Sequence, residues 1–462
     1  MSDLGYFSAR QIAPSQSLKQ ILSEGKWKFF QLEDSIIANV TIAWSSDINP
    51  FGLLNFSRNC WKFFWRSKDQ SDIRIGLGAL LKIRSGDSNS FDKLRGLRLY
   101  GGLAFPGEKV EDKWEGFAAD SFVLPQVEWN LSEDACEFNL RLEIPGRDLP
   151  SNLSEQAAEV YRDFSLASLA EPYPLPSRVS EQINVPGKLG WNEMVAKTVN
   201  DISQSRYSKL VLSRYKKLLF SQGLDLGGLV EALSDIDEDS YLFAFAEPNG
   251  KAFVGRSPER LLSWNDEKVF VDAIAGTRKR LQSKSEDLET AVELQNSRKD
   301  LNEHRYVSDF VFNTLSKHCS KVERLEREQL FQLRHVQHMR STFTASLNLD
   351  SHGMSLLHAL HPTPAVGGVP AEKASAFIDH YEPFQRGLFA GALGVTDGVS
   401  GDFAIGIRTA LLDRDSLTIF AGAGIVEQSD PEAEWQETEM KMKNFLDLFR
   451  NGVDSHEPSY KH

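Results

Sequence analysis

The chain has 462 residues, 41% of them apolar and 25% charged, which is an ordinary composition for a globular protein. Its formal net charge of −13 argues against nucleic acid or an anionic membrane as the main partner. No apolar run reaches the roughly 18 residues of a membrane-spanning helix, and no signal peptide is evident. The 3 cysteines are far apart and lack a metal-ligand spacing, as in free thiols of a reducing compartment. We therefore expect a cytoplasmic protein.

The first 170 residues carry strand-like segments and many aromatic side chains. Residues 35–44 and 138–144 partly alternate between apolar and polar positions, which is typical of half-buried strands, and 97–105 is also strand-like. Four prolines then fall between positions 172 and 186, where neither a helix nor a central strand can continue. We place a domain boundary there, between an N-terminal part at 1–185 and a second region at 186–452, with a long surface connection inside one large domain as the alternative. Residues 453–462 are expected to form a disordered tail.

Beyond this boundary the helical and strand patterns become clearer. Pro248-Asn249-Gly250 separates two apolar runs and predicts a β-hairpin. The predicted helices cover 190–205, 285–319 and 371–381, and the predicted strands cover 209–214, 241–246, 252–254, 269–274, 332–349, 405–412 and 417–421.

The predicted helix at 285–319 carries two acids on its apolar face. Asp300, Glu303 and Val307 follow at spacings of three and four residues, so they share one side of the helix. These carboxylates should therefore point toward the protein interior. A buried carboxylate needs a partner, a proton or a metal.

A second pair of acids lies near the C-terminal end. Ser429 or Asp430 can cap a helix with Pro431 in its first turn, and the glycines of 421–424 just before it predict a turn. Glu434, Glu437 and Lys441 follow at spacings of three and four residues, so they share one face of this helix.

Two i, i+3 pairs of acids offer hard oxygen ligands of the kind that suits Mg²⁺. The alternative is two ordinary solvated helix faces. A two-metal site usually recruits histidine, but His304 neighbours Glu303 and points to another side.

Lys209 and Glu259 are candidates for acid–base chemistry. A lysine at a strand end is usually a surface residue, but in a desolvated cleft it can act as a general base. Glu259 follows Pro258 in a turn. It could be a general acid beside an apolar wall, or an exposed glutamate at a helix start.

Taken together, the motifs of residues 187–450 resemble the chorismate-utilising enzymes, and within them most closely the isochorismate synthases of the menaquinone pathway. The resemblance is carried by Lys209-Leu-Val-Leu-Ser-Arg214, Ser257-Pro-Glu-Arg260, Ile274-Ala-Gly-Thr-Arg278, Lys299-Asp-Leu-Asn-Glu-His304, Leu333-Arg-His-Val-Gln-His338, Leu360-His-Pro-Thr-Pro-Ala365, His380-Tyr-Glu-Pro-Phe384, Ala390-Gly-Ala-Leu-Gly394, Ile407-Arg408, Ala421-Gly-Ala-Gly-Ile-Val426 and the segment 429–441.

The resemblance implies an α+β fold with a large two-sheet β core, helices packed outside and an active site in a deep cleft, where chorismate binds with one Mg²⁺. It makes 186–452 the chorismate-binding catalytic region. Carried over by residue, it implies metal ligation by Glu303 and Glu437, binding of the metal's waters by Asp300 and Glu434, and substrate contacts from Arg408, Gly422, Gly424, Gly276, Thr277, His338 and Lys441. Lys209 would activate the water that attacks C2, and Glu259 would protonate the departing C4 hydroxyl.

This resemblance predicts an isomerase, isochorismate synthase, in menaquinone or phylloquinone biosynthesis. A salicylate synthase, which goes on to eliminate pyruvate, is the alternative within the family. A non-catalytic metabolite-binding protein on the same fold is the alternative of another class. Relatives that use ammonia lack a lysine at the position of Lys209 and need a glutaminase partner, so we expect no such partner here. A monomer or weak dimer is expected.

Overall fold

The computed structural model describes residues 22–452, except 24, 45–47, 57–58, 70–71, 110, 133–134, 166–170, 177, 237–238 and 349–350. The predicted tail at 453–462 lies outside the described residues. Among the described residues, no helix is long and apolar enough to cross a membrane.

Most of the chain's regular structure is β-strand. The strands are Lys26–Gln31 (β1), Ser35–Trp44 (β2), Lys62–Arg66 (β3), Ile73–Ile83 (β4), Leu99–Leu103 (β5), Asp120–Leu131 (β6), Cys136–Pro145 (β7), Val179–Val185 (β8), Lys209–Phe220 (β9), Tyr241–Ala246 (β10), Lys251–Ser257 (β11), Arg260–Asn265 (β12), Lys268–Lys279 (β13), Cys319–Gln332 (β14), Val336–Leu347 (β15), Gly368–Val369 (β16), Ala392–Thr396 (β17), Ser400–Ile405 (β18), Thr409–Asp413 (β19) and Ser416–Ile425 (β20).

Helices occupy the connections between these strands. They are Ser88–Lys93 (α1), Leu153–Ser165 (α2), Lys188–Ser203 (α3), Leu226–Ser234 (α4), Lys284–Asn296 (α5), Arg298–His318 (α6), Gly353–Leu360 (α7), Ala371–Tyr381 (α8) and Pro431–Leu446 (α9), with short 3₁₀ turns at Gly52–Asn55, Asp112–Trp114 and Asp447–Gly452.

The strands form one antiparallel hydrogen-bonded network with two runs that share β6. The first run has the order β1-β2-β7-β6-β4-β3-β10-β11-β19-β20-β9, with β8 and β16 on the far side of β9. The second has the order β6-β5-β17-β18-β12-β13-β15-β14. The expected α+β fold is confirmed, and its two sheets are two runs of one continuous network.

Both faces of the first run are buried. Phe63 and Trp65 of β3 belong to one apolar core, together with Trp264 and Phe403 of the second run. Phe64, between them in β3, belongs to a second core. Because successive side chains of a strand point to opposite faces, the first core packs the two runs together and the second covers the other face of the first run.

The prediction of one helix over 285–319 is wrong, because the structure has two helices there, α5 and α6. The structure breaks it at Ser297, whose side chain accepts a hydrogen bond of 3.3 Å from the backbone N–H of Asp300. Ser297 therefore caps α6, and Asp300 lies in the first turn of the new helix. This break sets the direction in which Asp300 and Glu303 point.

The strand predicted at 405–412 is also interrupted. β18 ends at Ile405 and β19 begins at Thr409, and Arg408 between them has a φ of 54°, in the left-handed region. Such a conformation is costly for a residue with a side chain and is concentrated at functional sites.

The turn predicted at 421–424 is strand instead. Gly422 pairs with Ser213, and Gly424 pairs with Val211, so both glycines belong to β20 beside β9. The strand expected at 332–349 ends earlier, at Leu347, and the preceding strand β14 was not predicted. The hairpin at Pro248-Asn249-Gly250 and the helix at 371–381 are confirmed.

Candidate active site

The chain passes from one run of strands to the other several times, and two of these crossings are neighbours. It leaves β11 and enters β12 around Glu259, and it leaves β18 and enters β19 around Arg408. The two crossings are tied together: the backbone N–H of Ile405 donates to the carbonyl of Glu259 at 3.1 Å, and that of Arg256 donates to the carbonyl of Arg408 at 3.0 Å. Glu259 and Arg408 therefore enter the same cleft from crossings that hold each other in place.

This cleft collects most of the side chains predicted from the sequence. Its lining includes Glu259, Gly276, Thr277, Glu303, His338, Arg408, Gly422, Gly424 and Lys441. Apolar residues from four parts of the chain complete the wall, and they are Val211, Ile407, Phe389 and Phe420.

Glu259 is a buried carboxyl with an unusual protonation state. It is 2% exposed, and its Oε1 has no hydrogen-bond partner among the described residues. Burial raises the pKa of Glu259 to about 8, and the negative charge of Asp272 adds to this, while a backbone hydrogen bond from Ile274 and the ammonium groups of Lys209 and Lys68 act against it. Glu259 can therefore carry a proton at neutral pH and give it up inside the cleft.

Lys209, the first residue of β9, is fully buried. Its Nζ lies 3.0 Å from Oε1 of Glu303. The contact is ionic rather than an aligned hydrogen bond, since Nζ has no hydrogen-bond partner among the residues described. Gly424 allows this approach: a Cβ there would lie 2.4 Å from Oε1 of Glu303 and 3.1 Å from Cε of Lys209. A side chain at position 424 would separate the pair.

The other acid of α6, Asp300, is paired with an arginine. Arg278 donates to both of its carboxylate oxygens, at 2.7 and 3.2 Å, and Asp300 is only 2% exposed. Gly276, with a φ of 75° at a bulge in β13, leaves room for this pair, because a Cβ at that position would lie 3.2 Å from the Cβ of Asp300. The prediction that Asp300 points inward is confirmed.

The two acids of α9 are held by lysines. Asp430 caps this helix by accepting from the N–H of Ala433 at 2.9 Å, and Pro431 stands at its start, as predicted. Lys299 lies 2.9 Å from Oε1 of Glu434. Burial and the neighbouring Glu437 raise the pKa of Glu434 to about 7, against the effect of Lys299.

Lys441 joins α9 to the floor of the cleft. Its Nζ donates to Oε1 of Glu437 at 2.6 Å and to the carbonyl of Gly422 at 2.8 Å. The lysine therefore connects the helix that carries two acids with the glycine-bearing strand β20.

Each predicted metal-binding acid thus has a cation of this chain beside it. The pairs are Asp300 with Arg278, Glu303 with Lys209, Glu434 with Lys299 and Glu437 with Lys441. Within the described ranges, no three acid, histidine or cysteine side chains converge closely enough to hold a metal ion. The carboxylates are nevertheless hard oxygen donors on two helices that face the same cleft, so their chemistry fits Mg²⁺. Metal binding by these residues stays a prediction.

His338 and Arg408 form the polar end of the cleft. An Arg408 NH2 nitrogen lies 3.1 Å from Nε2 of His338, and a guanidinium can only donate, so Nε2 accepts. The proton is then on Nδ1, which donates to the carbonyl of Gly276 at 3.0 Å, with Oγ1 of Thr277 at 3.2 Å. Burial, and then the charges of Arg408 and Lys441, lower the pKa of His338 well below its usual value. The imidazole is neutral, and Arg408 carries the positive charge.

Several functional neighbours were missed by sequence reasoning. Arg278 and Lys299 stand inside recognised motifs, so the motifs could have indicated them. Arg386 is buried and lines the cleft, where its guanidinium holds Glu382. Lys68 and Asp272, which act on Glu259, had no signal in the sequence.

The arrangement can do two things chemically. Arg408 and Lys441 offer positive charge to an anionic ligand, with the glycines of β20 giving it room. Glu259 offers a proton to a departing group within the same apolar-walled space.

Three comparisons bear on what this cleft does. A family model described as "Chorismate binding enzyme" matches residues 92–450. The chloroplastic isochorismate synthase of Catharanthus roseus is 31% identical over 407 residues, which are 83% of this chain and 70% of that protein. Isochorismate synthase MenF of Bacillus subtilis is 28% identical over 441 residues, which are 88% of this chain and 93% of that protein.

Among solved structures, the menaquinone-specific isochorismate synthase MenF from Escherichia coli is similar, with a TM-score of 0.78 and 25% sequence identity. The match covers 94% of this chain and 100% of the Escherichia coli chain.

Proposed function

The chain belongs to the chorismate binding enzymes, and we propose that it is an isochorismate synthase, which replaces the C4 hydroxyl of chorismate by a hydroxyl at C2. One observation carries this proposal. Glu259, a buried carboxyl whose pKa is raised to about 8, lines one cleft with Arg408, and the buried Lys209 lies 3.0 Å from Glu303 of the same lining. Water addition at one ring carbon and hydroxyl loss at another need these two opposite proton transfers.

In the proposed mechanism, the neutral amine form of Lys209, which has given its ammonium proton to solvent, accepts a proton from a water molecule as the water oxygen bonds to C2. The ring double bonds shift, the C4–O bond breaks, and Glu259 gives its proton to the departing hydroxide, which leaves as water. One water enters and one leaves, so the net reaction is an isomerisation. Arg408 pairs with a substrate carboxylate and keeps the ring in place for both transfers.

Glu303 and Glu437 would hold Mg²⁺ directly, and Asp300 and Glu434 would hold its waters. Bound there, the metal would supply positive charge to the crowded acids and to a substrate carboxylate. The buried and mutually repelling carboxylates support this assignment, because Glu437 raises the pKa of Glu434 even with Lys299 beside it.

The relatives support menaquinone or phylloquinone biosynthesis as the use of the product, since one solved relative is named menaquinone-specific and plant relatives are named chloroplastic. The cytoplasm, the absence of a glutaminase partner, a monomeric or weakly dimeric state and the boundary at 185/186 stay predictions. The strands on either side of that boundary pair with each other, as β3 does with β10.

Incubation of the enzyme with chorismate and Mg²⁺, followed by identification of the products, tests the function. We expect isochorismate as the main product and loss of turnover when EDTA is added. Salicylate and pyruvate forming as fast as isochorismate would make the protein a salicylate synthase instead. Binding of chorismate without any product would favour the non-catalytic alternative, and turnover that resists EDTA would overturn the magnesium assignment.

Replacement of Gly424 by alanine tests the geometry of the Lys209–Glu303 contact. The new methyl group would lie 2.4 Å from Oε1 of Glu303, so the carboxylate must move. We expect isochorismate formation to fall by about 10²-fold, which is the typical cost of a misplacement near 1 Å. Gly86→Ala is the matched control, since a Cβ there meets nothing within 4 Å. Unchanged turnover of Gly424→Ala would show that this contact has no part in the reaction.

A further inference from the structure

Behind Glu259 lies a buried ion pair that the mechanism above does not use. Nζ of Lys68 lies 3.2 Å from Oδ2 of Asp272, and the two residues are 7% and 4% exposed. Thr342 of β15 donates to the other carboxylate oxygen, Oδ1, at 3.1 Å. Asp272 therefore has a lysine ammonium beside one oxygen and a threonine hydroxyl beside the other.

This ion pair is adjacent to Glu259 through strand β13. Asp272 and Ile274 are two positions apart in that strand and so share a face, and the backbone of Ile274 hydrogen-bonds the Glu259 carboxyl. The ring of Phe331 confirms the shared face, since it packs against Ile274 and lies 5.0 Å from Nζ of Lys68. Asp272 thus places a fixed negative charge beside the cleft's proton donor.

Three charged side chains act on Glu259 from different elements. The charge of Asp272 in β13 raises the pKa of Glu259. The charges of Lys209 in β9 and of Lys68, after β3, lower it. Asp272 has the largest effect of the three. The Asp272 carboxylate has Lys68 and Thr342 beside it, whereas Oε1 of Glu259 has no hydrogen-bond partner among the described residues.

We propose that Asp272, held by Lys68 and Thr342, is a positioning residue that keeps Glu259 protonated in the neutral pH range. The proposal rests on the proposed function for its role in turnover, where a protonated Glu259 is the acid that releases the C4 hydroxyl. Asp272 itself does not touch the cleft. It acts through Glu259 alone.

The Asp272→Asn variant tests this proposal. An acid catalyst must be protonated, so the rate falls as pH rises through its pKa. Loss of the Asp272 charge lowers that pKa. The alkaline limb of the kcat–pH profile should therefore shift to lower pH, by about one unit or more. Asp272→Glu should restore the wild-type position. A uniform loss of rate with an unmoved limb would reduce Asp272 to a structural residue and overturn the proposal.

A second variant guards against misfolding from an unpaired buried lysine. In the double variant Lys68→Gln/Asp272→Asn both charges are gone. Because Asp272 outweighs Lys68 in its effect on Glu259, the limb should still move down, by less than in the single variant. Glu326→Gln is the control, since Oε2 of Glu326 lies 3.2 Å from Oγ1 of the same Thr342 but Glu326 is not among the charges that act on Glu259. An unmoved or raised limb in the double variant would contradict the proposal.

A readout without turnover separates this proposal from the proposed function. Infrared difference spectra of wild type against Glu259→Gln report the protonated Glu259 carboxyl as pH is varied. In the absence of substrate, the pH at which this carboxyl signal disappears should be lower in Asp272→Asn than in the wild type, as for the kcat–pH profile. If chorismate were not converted at all, the proposed function would fail while this titration would still decide whether Asp272 controls Glu259.

Discussion

Lys209→Ala is expected to lower isochorismate formation by about 10²–10⁴-fold, the usual contribution of a general base. Without the amine at position 209, the attacking water loses its proposed proton acceptor. Chorismate binding should persist, because Arg408 and Lys441 stay in the cleft. Steady-state rates and calorimetric binding of chorismate measure the two effects separately.

The control for this variant is Lys217→Ala. Lys217 lies near the other end of strand β9, between Ile183 and Thr418, whereas Lys209 contacts Glu303, so the loss of Lys217 should leave the rate unchanged. If Lys209→Ala turned over chorismate at the wild-type rate, Lys209 would not be the base. If the Lys209→Ala variant failed to bind chorismate, the role of Lys209 would be to attract the anionic substrate.

Glu259→Gln is expected to remove isochorismate formation by a similar factor, about 10²–10⁴-fold, because glutamine keeps the shape but has no acidic proton for the C4 hydroxyl. Mg²⁺ affinity should not change, since Glu259 is not among the acids of α6 and α9. In the wild type, the rate should fall as pH rises through about 8, where Glu259 loses its proton. The residual activity of Glu259→Gln should lack this limb.

Rate–pH profiles and metal titrations check both expectations, with Glu267→Gln as a control at an exposed position between β12 and β13. Weaker metal binding by Glu259→Gln would mean that this residue belongs to the metal site. An alkaline limb that survives in the variant would belong to another group.

Local motifs were enough to predict the groups that face the cleft. Lys209 and Glu259 stand in short ordered segments, and the spacing of Asp300 and Glu303 on an apolar helical face indicated that they point inward. The helix break at Ser297 was missed because a serine inside a long periodic pattern is compatible with both continuation and a new cap. The tertiary structure decides for the cap.

Other features depend on contacts that are remote in sequence. Gly422 and Gly424 suggested a turn, since glycine is frequent there, but pairing with β9 over ten positions keeps them in a strand. Lys68 and Asp272 are 204 positions apart, and no pattern within either segment indicates that they meet. The charge that tunes Glu259 therefore becomes visible only in the folded chain.

The two hydrogen-bonded crossings at Glu259 and Arg408 have a consequence for how the cleft exchanges its contents. Glu259 and Arg408 cannot separate unless the two runs of strands come apart, and the apolar core between those runs opposes that. Opening of this kind belongs to global unfolding, which is rare compared with local fluctuations. We therefore expect ligand entry and release to depend on rotamer changes of partly exposed side chains such as Lys441, while the backbone around Glu259 and Arg408 stays rigid.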